Sequence, residues 1–394
     1  MADNVILLGA GASSHAGIPM LGGFMDTMLR LATLGKWNDT VIPDEDRAIL
    51  KDALAARDVL DSFHGRAALD VWNLEDILSV LVFSNPDLLP KMTKAIARVI
   101  ELTCSVQHNG SLEQLPESRG LHGELWETLL KWSHATSRPV PPILTFNYDL
   151  VLERSLLRAI TGSFGSTRDF PYKTLEVDYA TPACPNPKFG VEMQRWYPDN
   201  NRPFDGIVLR EAPEVRRPAG QQDLKLEILK LHGSLNFARS DDGGTSSRNN
   251  ADRLVKALSD PLILPPIFNK ATATLGNGIW DRALEVLRSC KNLIICGYSL
   301  PETDTYMQYF LKAALGPNKD LDRIFVFDPA FFRSDRVKDG EALKGRYGRN
   351  FSASLQKRIN FNPLRPSKEE DPNAGTLFHL LWCLENHPST FLFG

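Results

Sequence analysis

The chain reads as an α/β protein, a doubly wound parallel sheet with a helical subdomain inserted after its first strand. Three observations predict this. Short β-branched and leucine-rich runs alternate with helical patterns in the C-terminal third, the order that builds a parallel sheet with crossover helices. The first run, Asn4 to Leu8, passes at once into Gly9-Ala10-Gly11-Ala12-Ser13-Ser14, a strand ending in a glycine-rich turn. From Gly22 to about Trp132 the pattern is mostly helical, too much helix for a single crossover.

Within that region, candidate helices run Met25–Leu34, Asp46–Leu60, Asn73–Val82, Pro90–Leu102 and His122–Trp132. The strand pattern returns at Pro142–Phe146, followed by Asn147-Tyr148-Asp149 and a helix from about Leu150 to Ile160. From about Thr161 to Gln222 the chain is rich in proline, glycine and aromatics without a clear period, and a loop-rich insertion is expected. Leu224–Leu231 is a further strand running into His232-Gly233-Ser234, and a polar stretch covers Asp241–Asn250. A short strand at Leu262–Leu264 and a helix at Gly278–Cys290 follow. Strand Asn292–Cys296 ends at Gly297-Tyr298-Ser299, helix Glu302–Leu315 comes next, and strand Arg323–Phe327 ends at Asp328-Pro329. The tail carries a helix-like Thr376–Glu385. The expected organisation is a Rossmann-like domain over residues 1–330, with a helical insertion at about 22–135 and a loop-rich one at about 161–222. A C-terminal extension over 331–394 packs on that domain or mediates assembly.

Composition bounds the function. At 394 residues, 43% hydrophobic and 24% charged, the chain is an ordinary globular sequence, long for one simple domain. A net charge of −3 gives no overall basic field, so direct binding to nucleic acid or to anionic membrane is not expected. No run approaches the roughly 18 apolar residues of a membrane span. Met1-Ala2-Asp3-Asn4 lacks a positive flank and Val5–Leu8 is too short for a signal core, so a cytoplasmic protein is expected. The five cysteines, Cys104, Cys184, Cys290, Cys296 and Cys383, are odd in number and none stand two residues apart. They read as reduced thiols; they cannot build a paired-cysteine zinc site, and no metal is expected.

Each polar cluster lies just past a strand's C-terminal end, the edge where open α/β sheets bind ligands. At Gly9-Ala10-Gly11-Ala12-Ser13, glycines let backbone approach a pyrophosphate and N–H groups attract its charge. The same Gly-x-Gly also serves a tight turn with no ligand, and Ser14 stands where a dinucleotide fingerprint has its third glycine. Glu75 and Asp76, on a helix of the insertion, read as a solvated face.

Gly9 to Pro19 (GAGASSHAGIP) resembles the opening of sirtuins, the NAD-consuming deacylases and their relatives. Thr145-Phe146-Asn147-Tyr148-Asp149 is similar to that family's Thr-Gln-Asn-Ile-Asp segment, and Leu231-His232-Gly233-Ser234 to its His-Gly-Ser segment. Gly297-Tyr298-Ser299-Leu300 stands where the family has Gly-Thr-Ser-Leu, and all four segments follow the family's order. The resemblance implies NAD as substrate. Its contacts would come from Gly9, Ala10, Gly11, Ser13, Ile18, Pro19, Asp149, Gly297, Ser299 and Asp328. It also implies that Asn147 and His232 are the essential pair: an amide to hold a water or ribose hydroxyl, and an imidazole to accept a proton from one. Two roles stay open for Asp149, reading the nicotinamide carboxamide or capping the next helix. Ser299 either bonds a phosphate or ribose or caps a helix starting at Pro301-Glu302. Asp328, a carboxylate at a strand end, suits a ribose diol and favours NAD over NADP.

The chain departs from the deacylases in lacking their two close cysteine pairs, in Met20-Leu21-Gly22 after the Gly-Ile-Pro, and in Phe146 where they carry glutamine. With Ile294 to Asp304 it resembles instead the bacterial sirtuin-like NADases of anti-phage defence, which hydrolyse NAD to ADP-ribose and nicotinamide. That likeness implies a homo-oligomer, or a separately encoded partner such as a HerA-like ATPase or a short Argonaute. Two alternatives are a protein deacylase or ADP-ribosyltransferase, and a non-catalytic module sensing NAD or ADP-ribose. Possession of both Asn147 and His232 argues against the sensor.

Overall fold

The computed structural model describes residues 3–67, 70–107, 120–163, 170–196, 204–211, 214–238, 249–264, 277–302, 304–331, 337–361, 364 and 376–392. Its strands are β1 (Asn4–Leu8), β2 (Lys36–Trp37), β3 (Thr40–Val41), β4 (Ile143–Thr145), β5 (Tyr172–Asp178) and β6 (Lys188–Trp196). Then follow β7 (Phe204–Glu211), β8 (Gln222–Lys230), β9 (Asn292–Cys296), β10 (Arg323–Phe327) and β11 (Ile359–Asn360). Nine of them form one sheet in the order β11-β10-β9-β1-β4-β8-β5-β6-β7, while β2 and β3 make a small hairpin.

From β5 to β11 every neighbouring pair is parallel. β1 and β9 are buried at every residue, so both faces are covered, and their near-continuous apolar sequences are what such strands require. Their polar first residues are linked to each other and to the C-terminal segment: Asn292 Nδ2 donates to Asn4 Oδ1 at 2.9 Å, and Asn4 Nδ2 to the Leu392 carbonyl at 2.7 Å. From β1 the chain first builds outward through β4 and β8, then returns to lay β9, β10 and β11 on the other side. The order therefore reverses between β1 and β9, and the crevice at that switch point opens at the strands' C-terminal ends.

Helices α1 (Leu21–Leu34), α2 (Asp44–Ala67), α3 (Leu74–Ser84) and α4 (Leu89–Thr103) are the inserted subdomain. They build a core of their own around Met28, Leu31, Leu50, Leu78 and Met92, which Leu150, Leu235 and Ile263 join from the strand-end loops. The insertion is thus seated on the edge that carries the candidate site. The main core lies on the sheet, beneath α5 (Gly120–Thr136), α6 (Val151–Ser163), α7 (Asn250–Val255), α8 (Asn277–Ser289) and α9 (Thr305–Leu315). The C-terminal segment supplies α10 (Val337–Asn350), α11 (Ala353–Gln356), the edge strand β11, α12 (Thr376–Asn386) and α13 (Pro388–Phe391). Leu377, Leu380, Leu381 and Leu384 of α12 are buried in the main core. No helix among the described residues is long and apolar enough to cross a membrane.

Four expectations are corrected. The helical insertion expected to about 135 ends with α4, because Leu125, Trp126 and Leu129 of α5 lie in the main core. The stretch 161–222 is not mainly loop: it holds β5, β6 and β7, with β6 antiparallel to both its neighbours, so this edge makes the sheet mixed. The alternation that drives it places Phe189 and Val191 of β6 and Ile207 and Leu209 of β7 in the core, Val191 opposite Leu209, and in sequence it is preceded by Pro182, Pro185 and Pro187. Leu262–Leu264 is not a sheet strand; Ile263 makes a single antiparallel bridge to Gly233. Helix α9 starts at Thr305 rather than Glu302, after Asp304. Of the polar stretch, residues 241–248 lie outside the described residues, and Asn249 caps α7 by accepting from the Asp252 N–H.

Candidate functional site

One row of the sheet organises the site. Leu8 pairs with Thr145 and with Cys296, Thr145 with Lys230, and Cys296 with Phe327. Five parallel strands therefore end in register. One residue beyond the row stand Gly9, Phe146, Leu231, Gly297 and Asp328; two beyond stand Ala10, Asn147, His232 and Tyr298. The clusters that follow separate strands in sequence are brought to one edge.

At the switch point the glycines answer to each other. The Gly9 N–H donates to the Cys296 carbonyl at 2.9 Å, that of Gly11 to the Gly297 carbonyl at 3.0 Å, and that of Gly297 to the Phe327 carbonyl at 3.0 Å. A methyl group on Gly9 would sit 2.4 Å from the Gly297 oxygen, and one on Gly297, at φ 68°, would sit 2.4 Å from the Ala12 nitrogen. These glycines are required for the turns after β1 and β9 to touch, before any ligand is considered. The turn after Gly9 is a 3-10 helix, Ala10–Ala16, with Ala10 exposed and Ser13 buried. Ile18 and Pro19 are half-buried, Ile18 packing on the core of the insertion.

Asn147 is held by that turn. Its Nδ2 donates to the Gly9 carbonyl at 3.0 Å and to Ser13 Oγ at 2.9 Å, and its backbone N–H to Thr145 Oγ1 at 3.1 Å. Both amide hydrogens are used, which leaves Oδ1 as the side chain's acceptor. His232 is only 6% exposed, its ring centroid 5.0 Å from that of Phe146 and 6.4 Å from that of Tyr148. Its loop is fixed on the far side: Leu264 N–H donates to the His232 carbonyl at 2.7 Å and Ser234 N–H to the Leu262 carbonyl at 3.0 Å. Gly233, at φ 87°, permits this, since a methyl there would lie 2.3 Å from the Leu262 oxygen.

Of the two roles open to Asp149, capping is present: its Oδ1 accepts from the Val151 N–H at 3.0 Å at the start of α6. Ser299 is exposed, and its carbonyl accepts from Arg346 Nε at 2.9 Å. It does not cap a helix, because α9 begins six residues further on. Asp328 is half-buried and accepts from the Ala330 N–H at 2.9 Å.

The structure adds groups that the sequence reading passed over. Phe146 packs between His232 and Tyr298, 4.5 Å from the latter's ring. Tyr148 donates to the Leu264 carbonyl at 2.6 Å, and Tyr298 to Asp304 Oδ2 at 3.0 Å. Burial pushes both phenols upward, and in each case Asp304 and Glu75 push further. Glu75 is therefore not simply a solvated charge. It is half-buried in the first turn of α3, which Asn73 caps, and it brings negative charge to these two tyrosines. Its only advance signal was its place just after an asparagine cap.

The cysteines are all free and buried, and among the described residues no group of three or more His, Cys, Asp or Glu could hold a metal ion. A separate open cleft of about 560 Å³, with Arg323, Lys344, Lys357 and Arg358 in its lining, lies by the start of β10 and holds none of the candidate residues.

No family model matches the chain, and no curated protein matches it. Solved structures similar to it include the following two. One is a crystal structure of a Sir2 homolog–NAD complex, 15% identical, covering 83% of this chain and 77% of that one, with a TM-score of 0.31. The other is a mutant Sir2 homologue–ADP-ribose complex, 14% identical, covering 91% and 94%, with a TM-score of 0.29. The fold assignment stands on the strand order and register themselves: a mostly parallel nine-stranded α/β sheet with its candidate site at the switch point.

Proposed function

We propose that the strand-end site binds NAD and hydrolyses its nicotinamide–ribose bond, giving ADP-ribose, nicotinamide and a proton. The observation that carries this reading is the shared row: Asn147 and His232, on neighbouring strands, stand two residues beyond the paired Thr145 and Lys230, beside the glycine turn at the switch point. The sirtuin resemblance of the same segments supplies the ligand.

The chemistry asks little acid catalysis. Nicotinamide departs with the C–N electron pair as a neutral base, and positive charge builds on the ribose in an oxocarbenium-like state. Asn147, anchored through Nδ2, offers Oδ1 to orient a water or ribose hydroxyl near the anomeric carbon. His232 takes a proton from that hydroxyl or water. The carboxylates of Glu75 and Asp304 set a negative potential that favours the cationic ribose. The turn from Gly9 to Ser13 and Gly297 border the pyrophosphate, their glycines letting backbone approach it while the Gly9, Gly11 and Gly297 N–H groups stay bonded within the protein; Ser299 faces a phosphate or ribose hydroxyl, and Asp328 the adenosine ribose. Ile18 and Pro19 border the nicotinamide side.

With Phe146 and His232 each under a tenth exposed, the imidazole offers little open surface to a ribose. This supports a resting state that is opened by assembly or by a partner. A role as an anti-phage effector, oligomeric or acting with a HerA-like ATPase or short Argonaute, follows from the resemblance of the Ile294–Asp304 segment. Met20-Leu21-Gly22 and the unpaired cysteines support hydrolysis over transfer to an acyl-lysine.

The test is incubation of the assembled protein with NAD, with and without acetylated peptide, followed by chromatography. Equal release of nicotinamide and ADP-ribose in both arms is expected. Release that requires the peptide would favour a deacylase, and binding of intact NAD without release would favour the sensor.

A further inference from the structure

We infer that the buried Lys230–Glu153 pair is a positioning clamp, holding both ends of the His232 loop in register with the Asn147 segment. It rests on the roles proposed for those two residues, and it concerns groups that the reaction itself does not use.

Lys230 is the last residue of β8, two before His232, and is 1% exposed; Glu153, in the first turn of α6, is 0% exposed. Lys230 Nζ lies 3.1 Å from Glu153 Oε1 and also donates to the carbonyl oxygen of Asp149, two residues after Asn147. The same Glu153 Oε1 accepts from the Tyr179 hydroxyl at 3.3 Å. Asn236 Nδ2 donates to that hydroxyl at 3.2 Å and to the Arg253 carbonyl at 2.8 Å. Lys230 and Asn236 bracket the loop 231–235, so a single carboxylate is bonded towards the loop's entry on one side and its exit on the other. Two backbone bonds run alongside: Leu231 N–H to the Thr145 carbonyl, and Leu235 N–H to the Tyr148 carbonyl, each at 3.0 Å.

Stability alone does not account for this arrangement. Desolvating two charges costs about as much as their attraction returns, and apolar replacements of both partners are often as stable. Among the described residues Glu153 Oε2 has no hydrogen-bond partner, which a core selected only for stability would avoid. What the pair supplies is direction. An ammonium pinned between a side-chain oxygen and one backbone carbonyl fixes how the Asn147 segment sits against the end of β8.

The experiment compares Lys230→Met, Glu153→Met and the double variant with the wild type, by thermal unfolding, peptide-resolved hydrogen exchange and NAD turnover. Each single variant should lose about 5 °C or more in Tm, because one buried charge is left alone, and the double should return to within about 2 °C. In the double variant, exchange over residues 145–149 and 231–236 should still be about tenfold or more faster than in wild type. Its kcat should be down by about tenfold with KM changed less than twofold, the pattern of lost transition-state positioning. Wild-type exchange and wild-type kcat in a thermally restored double variant would overturn the clamp. If the double variant fails to fold, Tyr179→Phe cuts only the limb to Asn236, and faster exchange confined to 234–236 is expected; unchanged exchange there would overturn it. Faster exchange in a protein whose wild type does not cleave NAD would keep the clamp and remove the proposed reaction.

Discussion

Asn147 Nδ2 donates to Ser13 Oγ at 2.9 Å, so the amide proposed to orient the attacking water is held by the buried serine of the glycine-rich turn. Removing that acceptor should loosen Asn147 while leaving the backbone of the glycine-rich turn in place. Ser13→Ala should cost about 1 kcal/mol of stability and lower kcat about tenfold, with KM nearly unchanged. Steady-state NAD consumption beside urea unfolding checks it, and an unchanged kcat would free Asn147 from this dependence.

Gly297 and Ala12 make the second prediction. A methyl group at Gly297 would meet the Ala12 nitrogen at 2.4 Å, on a residue at φ 68°. Gly297→Ala should destabilise by about 2–4 kcal/mol, combining left-handed strain with overpacking, and should weaken NAD binding as the two turns separate. A denaturant midpoint equal to that of wild type would mean that the turns can part at no cost.

How much of this was legible beforehand varies with the kind of signal. Strands β1 and β9 were plain because a strand buried on both faces must be nearly continuously apolar, and after their first asparagine Val5–Leu8 and Leu293–Cys296 are. The positions of Asn147 and His232 at one edge followed from strand ends alone, since parallel strands bring all their C-termini to the same side. The shared register did not, because pairing offsets leave no trace in a single sequence. β5, β6 and β7 were missed because the prolines and glycines around them outweigh a short alternation, on β6 only Phe189, Val191 and Met193, that directly follows Pro182, Pro185 and Pro187. Glu75 was misjudged because helical periodicity reports which face of α3 is apolar but not what its first turn approaches.

The thiols give a third prediction. Burial pushes Cys104 and Cys290 up to about 12, and Cys383 likewise, while Cys296 is raised further by burial and by the nearby Asp328. All five cysteines are buried and free. A thiol reagent at pH 8 should leave the native protein largely unlabelled and should modify all five in denaturant. Rapid native labelling of any one would show that its surroundings open readily.

His122 supplies a pH test. Its ring is fully buried, with Nδ1 at 3.3 Å from His15 Nε2, and burial holds its pKa well below 6.5, with His15 lowering it further. The unfolded chain therefore binds a proton that the folded one refuses. Stability from this residue is intact above pH 6.5 and is lost as pH falls below it, by up to about 1.4 kcal/mol per pH unit. Urea unfolding at pH 7.5 and 5.5 should show that decline, and His122→Gln should reduce the slope by about one proton. An identical slope in the variant would assign the pH dependence elsewhere.

The central claim is tested most directly by Asn147→Ala and His232→Ala, each assayed for NAD turnover beside its thermal unfolding curve. Either change should cut turnover by about two to four orders of magnitude, the scale of losing a positioned acid–base or electrostatic group. NAD affinity should fall less than turnover, and both variants should remain folded. A folded His232→Ala variant with near wild-type turnover would remove the imidazole from the mechanism, and two active variants would contradict the strand-end site itself.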